Sequence, residues 1–179
     1  MKELKKSELL DQLKARVNGH VQQTEASFRK QRAQLLLKPS PTGGWSVTQC
    51  LDHLNSYGDY YLPKIGAALN RKEANPGLNY TSGWLGDYFT RMMEPSDKKY
   101  KAFKGHVPAP HLDAHLVVEE FIRQQQTLLQ YLQEAKGSDL NYRIPISISK
   151  FVRLKLGDTF RFLIAHNERH LQQALKNLN

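Results

Sequence analysis

The stretch that decides the reading is Phe160-Arg161-Phe162-Leu163-Ile164-Ala165-His166-Asn167-Glu168-Arg169-His170-Leu171-Gln172-Gln173, near the end of the 179-residue chain. Apolar residues at Phe160, Leu163, Ile164, Leu171, Ala174, Leu175 and Leu178, with Asn167 among them, follow helical spacing. His166 and His170, four apart, therefore stand one above the other on one side of that helix, at a separation of about 6 Å between Cβ atoms that suits a shared metal ion. Glu168 sits about 200° around the helix from His166. The spacing is thus His-x-x-x-His without the adjacent glutamate of a zinc protease, and no general base is assigned.

A third ligand is expected from upstream. Ser46-Val47-Thr48-Gln49-Cys50-Leu51-Asp52-His53-Leu54 opens with a capping-box pair, Ser46 and Gln49, and Trp45 precedes it as a staple. Val47, Cys50, Leu51, Leu54, Tyr57, Tyr61 and Leu62 form one apolar stripe, with His53 on its border, running to about Asn70 with a kink expected at Pro63. Three buried neutral imidazoles converging on a divalent cation satisfy nitrogens that burial would otherwise leave costly. They also leave an open coordination position, as in catalytic rather than closed structural zinc.

Two more amphipathic helices complete the set. One runs from about Ser7 to Leu37, weakened at Gly19, and stops at Lys38-Pro39-Ser40-Pro41-Thr42-Gly43-Gly44; the other runs from about His111 to Ala135 and stops at Lys136-Gly137-Ser138. The last helix is expected to start after Gly157 with Asp158 or Thr159 as cap. Residues 71–109 lack a long period, but Trp84, Tyr88, Phe89, Met92 and Met93 suggest a short extra helix packed as core or lid. Arg143 to Ser149 alternates like a strand, confined to an edge by Pro145. The expectation is an all-α fold, a four-helix bundle with long connections, in a single domain spanning residues 1–179.

Composition narrows the partners. A net charge of +9 raises nucleic acid, but the bases are dispersed (Lys2, Lys5, Lys6, Arg29, Lys30, Arg32, Lys98, Lys99, Lys101, Lys104), so no specific nucleic-acid partner is expected. The lone Cys50 excludes an intramolecular disulfide, and its place on the core stripe makes it a buried hydrophobe rather than a nucleophile. No apolar run approaches a membrane span and Met1 to Lys6 has no secretory character, which points to a cytoplasmic protein without a membrane partner. His111 and His115 repeat the i, i+4 spacing without a third ligand, and His20 and His106 have no evident partner. Val117, Val118 and Phe121 extend the third helix's apolar character beyond Leu112, Leu116, Ile122, Leu128, Leu129 and Leu132, a surplus that suggests a homodimer.

Trp45-Ser46-Val47 with Cys50 to Leu54, and His166 to Gln173, together resemble the two signatures of the DinB/YfiT-like superfamily, in its DinB_2 branch; Asp52 stands where glutamate is common. The resemblance implies an up-down-down-up four-helix bundle, often a homodimer, binding zinc or nickel through His53, His166 and His170. It further implies a metal-dependent hydrolase, or a transferase using a low-molecular-weight thiol such as bacillithiol, on a small-molecule substrate. A non-catalytic stress-response or binding module with a structural or vestigial metal is the alternative. Gln173, three residues after His170, is expected beside the site as an outer-shell group.

Overall fold

The computed structural model describes residues 3–41, 43–71, 77–96, 98 and 100–178. Of the positions named above, Met1, Lys2, Thr42 and Lys99 lie outside the described residues. Helix α1 (Lys6–Ser27) buries Leu9, Leu10, Leu13, Val17, His20 and Thr24, the three-and-four spacing of an amphipathic face. It stops earlier than expected, at Phe28, and a separate α2 (Ala33–Leu37) follows. The reason is packing: Phe28 and Leu36 are both fully buried in one cluster, and an unbroken helix would hold them about 12 Å apart along its axis. Thr48 Oγ1 fastens α2 by donating to the Leu36 carbonyl at 3.0 Å.

Helix α3 (Val47–Leu69) has the expected capping box, with Gln49 N donating to Ser46 Oγ at 3.1 Å and Ser46 N to Gln49 Oε1 at 3.0 Å, and it runs on through Pro63. Helix α5 (Ala114–Glu134) begins at an Asp113 cap, and α6 (Leu156–Leu175) begins after Lys155. Neither Asp158 nor Thr159 caps α6. Asp158 lies in its first turn and instead accepts from Ser82 Oγ and Gly83 N, while Thr159 Oγ1 donates to the Lys155 carbonyl.

Cross-bundle contacts give the directions. Asn55 reaches Val117, Gln124 reaches Asp59 and Gly66 abuts Tyr131, so α3 and α5 run parallel. Lys14 meets Gln133 and Arg29 meets Glu119, so α1 opposes α5; His53 meets His166 and Tyr61 meets Phe162, so α6 opposes α3. The bundle is therefore up-down-down-up. Parallel neighbours cannot be joined by a tight turn, and the chain between α3 and α5 must travel back about 34 Å, the length of a 23-residue helix. That return carries β2 (Asn79–Thr81), which pairs antiparallel with β1 (Glu3–Lys5), then α4 (Trp84–Met93) packed on α6, and finally His106. Between α5 and α6, β3 (Arg143–Ile146) pairs with β4 (Ser149–Lys155) as a hairpin.

Val117, Val118 and Phe121 are buried with Phe28, Leu36, Val47 and Leu51, so the surplus that suggested a dimer is covered by α2 and α3 of the same chain. Leu116, assigned to the main stripe, is instead 69% exposed. Trp84 and Tyr88 are exposed too, whereas Phe89 and Met93 pack on the core. Among the described residues no helix is long and apolar enough to cross a membrane.

Gly86 lets α4 lie against α6: a methyl there would overlap the Asp158 carboxylate, which is almost fully buried. Gly86→Ala should cost about 1–3 kcal/mol, the range for overpacking. Gly19→Ala meets nothing within 4 Å and should instead stabilise by about 0.5–1 kcal/mol. Urea midpoints moving in opposite directions for the two variants would confirm both; an unchanged midpoint for Gly86→Ala would mean Asp158 moves aside freely.

Candidate metal centre

His53 lies in the second turn of α3, and His166 and His170 on successive turns of α6. The bundle brings all three together: one nitrogen from each lies within 4.8 Å of the others, and this is the group of possible metal ligands found among the described residues. Ring centroids are 5.0 Å apart for His53 and His166, 4.7 Å for His53 and His170, and 4.8 Å for His166 and His170. His53 and His166 are buried, while His170 is partly exposed and marks the accessible side.

Hydrogen bonds set which nitrogen faces inward. His53 Nδ1 donates to the His106 carbonyl at 2.6 Å, which leaves its Nε2 with a lone pair facing His166 Nε2 at 3.2 Å. His170 Nδ1 donates to Gln173 Oε1 at 3.0 Å, which leaves its Nε2 unprotonated as well. His166 Nδ1 is buried with no partner. As the rings stand, His166 Nε2 donates to His53 Nε2, which leaves His166 Nδ1 without a donor, and a cation among the three nitrogens could take a lone pair from each ring.

Electrostatics keep the set neutral. Burial pulls the His53 pKa down to about 4 and that of His170 to about 3, and burial reinforced by the neighbouring His170 and His53 takes His166 well below its ordinary value. All three are thus unprotonated at neutral pH, the form that ligates. Aromatic rings wall the group: Trp45 lies 4.8 Å from His53 and 5.8 Å from His170, Tyr57 lies 4.5 Å from His166, and Phe162 stacks on His166 at 5.8 Å.

Several expected positions fall differently. His106 has partners after all: its carbonyl orients His53, its ring stacks on Tyr57 at 3.8 Å, and its Nδ1 lies 2.9 Å from Ser56 Oγ. Nothing in the sequence could signal a link made through a backbone carbonyl on a returning connection. His20 also has a partner, with Nε2 2.7 Å from Glu168 Oε2, and that hydrogen bond holds the Glu168 carboxyl down at about 2. Glu168 therefore faces α1 and away from the triad. Arg169 fastens the chain after α4, donating to the Glu94 carbonyl, Ser96 Oγ and the Lys98 carbonyl. His111 and His115 are exposed and gain no third ligand among the described residues. Trp45 and Tyr57, read as staple and stripe, prove to line the site.

Cys50 is fully buried, and burial pushes its thiol up to about 12. Ellman's reagent should leave it unmodified in native protein and titrate one thiol in urea. Rapid native labelling would show that this end of the bundle opens.

The sequence profile of the DinB superfamily matches residues 8–174. Among solved structures the fold is similar to that of YfiT from Bacillus subtilis, described as a probable metal-dependent hydrolase with an unusual four-helix bundle topology. The likeness has a TM-score of 0.58 at 11% identity, over 94% of this chain and 85% of that one. No curated protein sequence matches the chain.

Proposed function

The chain belongs to the DinB superfamily, and we propose that it is a metal-dependent enzyme in which His53, His166 and His170 hold a divalent ion, zinc or nickel, through Nε2 atoms. The observation that carries this reading is the convergence of three neutral imidazoles whose outer nitrogens, for His53 and His170, are already fixed by acceptors. An ion held by three neutral ligands keeps its charge, and so supplies Lewis-acid chemistry and lowers the pKa of water or a thiol that reaches it. The reaction class that fits is hydrolysis of a small molecule, or transfer to a low-molecular-weight thiol.

The chain's own residues do the positioning. The His106 carbonyl and Gln173 Oε1 fix two tautomers and ring orientations, while Trp45, Tyr57 and Phe162 exclude bulk water from the buried side. Burial raises the Tyr57 phenol to about 12, so it stays protonated as a neutral wall. Approach is from the His170 side, where exposure begins. A second reading, a non-catalytic module whose metal is structural or vestigial, is favoured by how deep His53 and His166 lie, each only 3% exposed.

Elemental analysis of protein purified without added metal, then hydrolysis and thiol-transfer assays with and without chelator, separates the two. Chelator-sensitive turnover supports the enzyme. One tightly held equivalent without turnover supports the module with a structural metal, and failure to bind zinc or nickel at neutral pH rejects the enzyme and leaves only the vestigial form of the module. Gln173→Ala should weaken metal affinity by about 10–100-fold, the usual cost of losing an acceptor behind a ligating imidazole. Unchanged affinity in a chelator competition would make Gln173 a bystander.

A further inference from the structure

We infer that the outer face formed by α4 and the β3–β4 hairpin docks the protein peripherally on anionic lipid surfaces, a role separate from the histidine site. Large apolar side chains stand exposed on it: Phe151 is 99% exposed, Trp84 74% and Tyr88 58%. Trp84 and Tyr88 are four apart on α4, hence on one side of it. The two elements adjoin: α4 packs against β4, and Lys155 Nζ donates at 2.8 Å to the carbonyl of Thr81, three residues before Trp84.

Charge selects the occupant. Between Asp139 and Asp158 the chain has no acidic residue but carries Arg143, Lys150, Arg153 and Lys155. In the hairpin register Ile144 and Leu154 face the core, which turns Arg143 and Arg153 outward to stand exposed beside Lys150, whereas Lys155 is half-buried and held by Thr81 and Asn141. The carboxylate of α4, Asp87, is already taken by Arg91 and Arg161. A second copy of this chain is disfavoured, because a twofold contact would set these bases against themselves. Single-stranded nucleic acid is tracked in grooves, and a side chain 99% exposed has no wall beside it. Protruding tryptophan, tyrosine and phenylalanine among lysines and arginines match the headgroup region of a bilayer, where rings seat at the interface and bases meet anionic lipids.

The test is cosedimentation of the full chain with vesicles of phosphatidylcholine alone and of phosphatidylcholine mixed with phosphatidylglycerol. Binding is expected only to the mixed vesicles, weakening with added salt. Lys150→Glu with Arg153→Glu, and separately Phe151→Ala with Trp84→Ala, should each lower partitioning by about tenfold or more. These side chains are exposed, and circular dichroism checks that the variants fold. Equal binding to both vesicle types, no binding to either, or variants that bind as well as the parent chain would overturn the inference. So would loss in the same variants of self-association or of single-stranded oligonucleotide binding that competes with vesicles.

Discussion

His166→Leu is expected to abolish metal retention while leaving the bundle folded. On the proposed three-histidine site, the loss should exceed the ~10–100-fold expected for Gln173→Ala, because one of the three ligands is gone and only His53 and His170 remain. The fold should tolerate the change, since an apolar side chain of similar size against Phe162 removes the unpartnered His166 Nδ1, which offsets the loss of the Nε2 contact with His53 Nε2 at 3.2 Å. Chelator competition followed by urea unfolding of the metal-free variant reads both halves. A variant that still purifies with one equivalent of metal would remove His166 from the ligand set. Loss of folding in the absence of metal would instead make the residue structural.

That separation between what holds the fold and what the fold holds also explains what the sequence made legible. The four bundle helices could be read because each carries a continuous apolar stripe, and the capping box at Ser46 could be read because its two hydrogen bonds span three residues. The convergence of His53, His166 and His170 was legible because helical spacing orients a pair and an adjoining stripe orients the third. What escaped depends on contacts between distant segments. The break between α1 and α2 has no glycine or proline to announce it and follows from burying Phe28 and Leu36 together. Strand β1 is only three residues long and exists through its pairing with β2. Val117, Val118 and Phe121 suggested an exposed surplus because the sequence could not show α2 returning over α5. His20 and Glu168, 148 residues apart, had to wait for the fold to pair them.

Acid should unfold the metal-free protein well before its carboxylates protonate. A histidine whose pKa is lowered in the folded state binds its proton first in the unfolded chain, so folding loses stability as pH falls below the unfolded value near 6.5. For His53 the loss continues down to about 4 and for His170 to about 3; His166, lowered by burial and by the neighbouring His170 and His53, acts in the same direction. Each contributes about 1.4 kcal/mol per pH unit, so the three together approach about 4 kcal/mol per unit against a total stability of about 5–15 kcal/mol. Glu168 acts in the same sense but at lower pH, with its contribution lost as pH falls from the unfolded carboxyl value near 4.5 to the folded value of about 2. The expected result is a cooperative loss of far-UV circular dichroism centred near about pH 5 in chelator, accompanied by net proton uptake on unfolding. His166→Leu should lower that midpoint, and excess zinc should lower it in the parent chain by stabilising the folded state that binds it. A metal-free midpoint below pH 4, unmoved by either change, would show that the three imidazoles are far better solvated than their burial implies.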